Sequence, residues 1–94
     1  MELFEIVEKA QEDYNIPGTY ICENNGENDR FISEVNDKIT IEFRNNNIVR
    51  KRKKKRYKYV LDVYCSDFSK GCVFNEYEEI KDILDSVQEI RKCD

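Results

Sequence analysis

Histidine is absent from this 94-residue chain, proline occurs once, and the three glycines, Gly18, Gly26 and Gly71, are scattered. Each scarcity excludes something. Without histidine, the usual proton shuttle at neutral pH is missing. Neither a Ser/His nor a Cys/His nucleophile can be assembled. Three glycines in separate turns make no phosphate-cradling loop. No apolar run approaches the length of a bilayer span. The N-terminal stretch MELFEIVEKAQEDY is acidic and amphipathic, unlike a secretory signal.

Cysteine is also sparse in useful arrangements. Cys22, Cys65, Cys72 and Cys93 contain no C-x-x-C pair, so the paired knuckles of a four-thiolate zinc site are missing. In a chain with no secretory signal, a disulfide framework is disfavoured. Cys22 and Cys65 read as small strand residues and Cys93 as a thiol in the tail, with a Cys65–Cys72 bridge across a turn as the exception. No metal, cofactor or catalytic residue is expected. Glu79-Ile80-Lys81 echoes the E-x-K element of some metal-dependent nucleases. That element lies on a strand beside a further acid, whereas here it falls on a predicted helix. The expectation is a protein that is not an enzyme.

What is present is charge and pattern. The length suits one domain, 1–94, with a modest core. Leu3, Val7, Ala10 and Tyr14 recur at helical spacing, flanked by Phe4 and Ile6, predicting a helix from 2 to about 14. Pro17-Gly18 ends it. TYICEN and RFISEV read as short strands around an Asn-Gly turn signal. KITIEFR alternates Ile39, Ile41 and Phe43 with polar residues, as a half-buried strand does. From Tyr57, the residues Tyr59, Leu61, Val63 and Cys65 share one face of a further strand. SDFSKG reads as a loop ending at Gly71, and CVF as a brief strand or an approach to the last helix. Asn75 as N-cap with Glu78 approximates a capping box. Tyr77, Ile80, Leu84 and Val87 then form an apolar stripe, widened by Ile83 and Ile90. Arg91-Lys92 close the helix in accord with its dipole.

The predicted fold class is α+β. A small antiparallel sheet of three to five strands carries an N-terminal and a C-terminal helix on one face.

The charges are segregated. Arg50, Lys51, Arg52, Lys53, Lys54, Lys55, Arg56 and Lys58 supply +8. Removing those eight from sixteen basic residues leaves eight against twenty acidic ones, a balance of −12. Eight cations without local counter-charge are too costly to bury, and opposed like charges destabilise a sheet. A mobile basic arm or loop at about 45–58 is therefore expected. In one arrangement Ile39–Arg44 pairs with Tyr57–Tyr64, and 45–56 is a loop. In the other, Ile48–Arg52 and Arg56–Val60 form a hairpin tip with Lys53–Lys55 at the turn.

Such an arm can neutralise phosphates and release counterions, with Tyr57 and Tyr59 near its base to stack on bases. The alternatives are a solvated loop guarding a sheet edge, for which one or two lysines suffice, and a contact with an acidic protein. Glu78, Asp82, Asp85 and Glu89 form an acidic ridge on the last helix. It is either a phosphate-like row offered to a basic groove or a solvated outer face.

Size, charge segregation and the helix–strands–helix order resemble those of small phage-encoded inhibitors of the anti-CRISPR type. The resemblance is one of profile, with no shared motif, so no residue roles transfer. It implies a non-enzymatic binding protein that inhibits or modulates a nucleic-acid-handling nucleoprotein complex. The basic arm and the acidic helix face would be its contacts. The partner implied is a protein or nucleoprotein, with nucleic acid reached through the arm and no membrane involved. The expected location is the cytoplasm, the host cytoplasm if the chain is phage-encoded. The alternatives are a stand-alone DNA- or RNA-binding domain using the arm, which a net charge of −4 argues against, and a protein-interaction or antitoxin-like module. Oligomeric state is left open.

Overall fold

The computed structural model describes residues 2–22, 29–46, 57–66 and 69–92. Helix α1 (Leu3–Tyr14) is followed by strands β1 (Thr19–Ile21), β2 (Arg30–Glu34), β3 (Ile39–Asn45), β4 (Tyr59–Cys65) and β5 (Ser69–Phe74). A 3₁₀ turn (Tyr77–Ile80) leads into helix α2 (Lys81–Lys92). The five strands form one sheet in the order β1-β2-β3-β4-β5, and every neighbouring pair is antiparallel. The protein has the α+β fold class that its periodicities predict.

Local chemistry sets the element ends. The Glu5 carboxylate accepts from the Glu2 backbone N–H at 3.2 Å, closing a capping box at the start of α1. At the other end Asn15 takes the left-handed conformation, φ 52°, which asparagine tolerates at a helix C-terminus. Gln11 Nε2 then donates to the Ile16 and Gly18 carbonyls at 3.1 and 3.3 Å, holding the turn that the Pro17-Gly18 pair begins. The β2–β3 turn is an Asx turn: Asn36 Oδ1 accepts from the Lys38 and Ile39 N–H groups at 2.8 and 2.9 Å.

The core lies between one sheet face and the two helices. Leu3, Ile6, Val7 and Ala10 of α1 are buried, as are Leu84 and Val87 of α2 and Tyr77 and Ile80 of the turn before it. They meet Phe31, Ile39, Ile41, Phe43, Leu61, Val63 and Phe74 from the sheet. Phe43 stands at the centre, with its ring centroid 6.2 Å from that of Phe31 and 6.3 Å from that of Phe74. The first pair is tilted and the second edge-on, at favourable distances. The other face of the sheet exposes Ile32 (40%) and Tyr64 (45%), and neither helix lies over it. Phe4, placed by its spacing beside the helix stripe, is exposed and sets its ring edge-on to Tyr20 at 5.3 Å.

The structure corrects two expectations and rules out one exception. The SDFSKG loop does not extend to Gly71, because β5 already begins at Ser69. Gly71 sits inside the strand, where an added Cβ would come 2.5 Å from Asp62 Oδ1. A strand glycine of this kind marks a close approach, not a turn. The last helix is capped one residue later than Asn75–Glu78 suggests. Glu76 is the N-cap, and Glu79 Oε2 accepts from the Glu76 and Asn75 N–H groups at 2.8 and 2.6 Å. A Cys65–Cys72 bridge is excluded by register, since Cys65 stands opposite Ile39 and Cys72 opposite Leu61. Cys72 is therefore aligned with a residue four places from Cys65 on the same strand, beyond disulfide reach. Cys93 lies outside the described residues.

Candidate nucleic-acid interface

The basic segment joins β3 to β4, and its two ends are held together. Asn46 N donates to the Lys58 carbonyl at 2.8 Å, and Asn46 Nδ2 donates to the Tyr57 carbonyl at 3.0 Å. Lys58 N donates to Asn75 Oδ1 at 2.8 Å. This explains why Asn75 does not cap the last helix: its side chain ties the root of the segment to the end of β5. Asn45 N reaches the Asp29 carbonyl at 3.4 Å, bringing in the start of β2. Of the two arrangements expected, the first forms with its bounds shifted: the strand paired with β3 is Tyr59–Cys65 in place of Tyr57–Tyr64, with Ile39 opposite Cys65 and Asn45 opposite Tyr59. A tip built from Lys53–Lys55 falls outside the described residues.

Of the residues expected to bind, Arg50, Lys51, Arg52, Lys53, Lys54, Lys55 and Arg56 also lie outside the described residues. Lys58 is exposed at the root and Tyr57 is half-buried there. Tyr59 belongs elsewhere. It is 7% exposed, its ring lies 5.6 Å from that of Phe74, and burial pushes its phenol pKa up. Stacking on a base would require it to leave the core, so Tyr57 alone of the pair stands near the surface. Strand alternation already places Tyr59 with Leu61 and Val63.

One row of the sheet face away from the helices lies beside this root, and its β4 member, Val60, is buried. Arg30 of β2 stands directly opposite Arg44 of β3. Arg44 Nη2 pairs with Asp62 Oδ2 at 3.0 Å, and Asp62 is the better buried partner. Gly71 leaves the room for that carboxylate.

The acidic ridge forms as spaced. Glu78, Asp82, Asp85 and Glu89 are all exposed, the first on the 3₁₀ turn and the others on α2. Its charge is partly answered within the helix by Lys81–Glu78 at 3.6 Å and Lys92–Glu89 at 3.8 Å, exposed pairs worth about 0–1 kcal/mol each. Asp85 has a second role. It accepts from Tyr14 Oη at 2.6 Å, while Tyr77 Oη donates to Asp13 Oδ2 at 2.8 Å. Two reciprocal Tyr–Asp bonds thus lock α1 against the second helical segment. Arg91 Nη1 adds bonds to the Tyr14 and Asn15 carbonyls at 3.1 and 3.0 Å.

Sequence reasoning missed this clamp. Tyr14 and Tyr77 were legible as stripe residues, but no local pattern pairs them with acids more than sixty positions away. Burial, then the bond to Asp85, pushes the Tyr14 phenol up to about 12. Burial and Asp13 push Tyr77 up, and burial and Asp29 push Tyr20 up.

The E-x-K echo has an ordinary explanation. Glu79 is occupied by backbone N–H groups, and Lys81 pairs with Glu78 and lies 5.7 Å from the Tyr77 ring centroid. Among the described residues no group of three or more Cys, Asp or Glu side chains is placed to hold a metal ion. Nor is any helix long and apolar enough to cross a membrane.

No family model, curated protein or solved structure matches this chain. Its functional reading therefore rests on its own charges and geometry. The helical elements carry nine acidic residues against four basic ones, Leu3–Tyr14 and Tyr77–Lys92 taken together. The β3–β4 connection carries the opposite sign.

Proposed function

We propose that this chain is a non-enzymatic binding protein that modulates a nucleic-acid-handling nucleoprotein complex. Its basic segment meets phosphates, and its acidic helical layer meets a basic protein surface. The observation that carries the reading is the closed root: Asn46 is bonded to both Tyr57 and Lys58. Seven consecutive cations, Arg50–Arg56, are thereby delivered from one anchored place. Concentrated positive charge of this kind gains from counterion release on a polyanion. An edge guard does not call for it, since one or two lysines suffice. The anti-CRISPR-type profile supports the same reading, with an effector held inactive as its outcome.

The acidic layer favours this over a stand-alone DNA- or RNA-binding domain. Such a domain is usually basic overall, whereas here the helices repel a polyanion and suit a basic groove. An antitoxin-like adaptor shares the acidic layer but gives its cations no phosphate to meet.

The test is fluorescence anisotropy with labelled single-stranded DNA, duplex DNA and RNA at low and physiological salt, beside Lys53→Glu/Lys54→Glu/Lys55→Glu. Affinity is expected to fall with salt and to collapse in the variant. Loss of three phosphate contacts should reduce the salt slope by about 2–3. Absence of binding to all three at low salt would reject phosphate contact and leave a protein-only partner, to be sought by pull-down.

A further inference from the structure

The root of the basic segment has a neighbour that the run of cations does not include. Arg30 opens β2 directly opposite Arg44 on the sheet face away from the helices. Directly opposed side chains on antiparallel strands have Cβ atoms about 4.5–5.5 Å apart, and like charges there destabilise. The two arginines are not equivalent. Arg44 is answered by Asp62 at 3.0 Å. Arg30 is exposed and has no ion-pair partner among the described residues. The carbonyl of the residue before it, Asp29, accepts from Asn45 N. This bond fixes the start of β2 to the end of β3, where the basic segment departs.

Of the tyrosines at this end, Tyr57 alone stands near the surface, half-buried at the root. Tyr59 is in the core against Phe74, and the Tyr20 hydroxyl is bonded to Asp29. Base stacking needs an open ring face. What this end offers beyond Tyr57 is charge.

We infer that Arg30 is a phosphate-contacting residue, and that it extends the grip of the basic segment onto the sheet as a sequence-independent backbone contact. The inference rests on the proposed function. An anion between Arg30 and Arg44 turns a repulsive cross-strand pair into a bridged one. A guanidinium suits this role because its planar fork matches phosphate oxygens in pairs. The contact reads phosphate, so it does not discriminate between base sequences.

The experiment compares Arg30→Ala with the wild-type chain in two measurements. In anisotropy with two 20-bp duplexes of unrelated sequence, the variant should bind both more weakly by the same factor. Its salt slope should be reduced by about 0.9 for one lost contact. An unchanged slope, with the basic segment still binding, would remove Arg30 from the interface and leave the proposed function standing. Weakening on one duplex only would overturn the claim that the contact ignores sequence. The second measurement is the thermal midpoint without nucleic acid. Removing the like-charge pair should raise it at low salt, with the gain shrinking as salt screens the pair. A lower midpoint at low salt would show that the two arginines do not repel as described. Failure of the wild-type chain to bind any duplex at low salt would overturn the proposed function and this inference with it. Inorganic phosphate titrated against the midpoint distinguishes a free-phosphate site from a backbone contact. Stabilisation by millimolar phosphate with no duplex binding would count against the nucleic-acid source.

Discussion

Gly18 has φ +134°, a region L side chains rarely adopt, and an added Cβ would lie 2.9 Å from Phe31 Cζ. Strain and collision act together, because the ring it meets belongs to the packed core. Gly18→Ala should therefore lose about 1–3 kcal/mol of stability, measured by urea denaturation. A neutral result would mean that the turn relaxes freely. Ser33 points the other way. It is 1% exposed on the core side of β2, and its hydroxyl has no hydrogen-bond partner among the described residues. A buried, unanswered hydroxyl is a liability of about 1–3 kcal/mol. Ser33→Ala keeps the shape and removes the polar atom, so the same titration should show equal or higher stability. A clear loss would place an unseen partner on that hydroxyl. Strand alternation puts Ser33 on the same side as Phe31 and Val35. It could not say whether a partner would meet it there, because that depends on residues from other elements.

At the scale of elements, the two helical segments are joined by polar bonds as well as by packing. The last turn of α1 has no basic residue to answer its dipole, and Arg91 of α2 supplies one from outside. Arg91→Ala should lower stability by about 1 kcal/mol, seen as a lower thermal midpoint. The Tyr–Asp bonds predict behaviour in alkali. The Tyr14 phenol is raised to about 12 in the folded chain, against an ordinary value of 10.0. The native state thus holds that proton more tightly than the unfolded state does. The stability this contributes is fully present below pH 10 and is lost as pH rises from 10 towards 12. Tyr14→Phe should give a lower midpoint at pH 7 and a shallower further decline between pH 10 and 12 than the wild-type chain. Parallel declines would remove Tyr14 from the clamp. Both helices were legible from their apolar stripes. The clamp was not, because its partners are brought together by how the helices lie on the sheet.

For the whole molecule, stability is expected to reside in the core and not in the basic segment. Phe43 is fully buried between Phe31 and Phe74. Phe43→Ala should cost about 3–5 kcal/mol in chemical denaturation as a lost ring and a cavity. The triple glutamate change at Lys53, Lys54 and Lys55 should leave the thermal midpoint nearly unchanged while altering polyanion binding. A large stability loss there would tie those lysines to the fold, contrary to the separation proposed.

The division between what sequence and tertiary structure each settled follows from range. Fold class, both helices, strands β3 and β4 and the acidic ridge were determined by local periodicity, since a 3.6- or 2-residue repeat shows which side of an element is apolar. The late cap at Glu76, the full length of β5, the closed root at Asn46 and the Arg30–Arg44 opposition were decided only in three dimensions. In each case the deciding partner lies elsewhere in the chain. Asn75 binds Lys58, Gly71 makes room for Asp62, and Arg30 meets Arg44 across a strand register that no single strand specifies. Backbone groups and charges take whichever partner the assembled sheet presents, and that choice is made by tertiary contact.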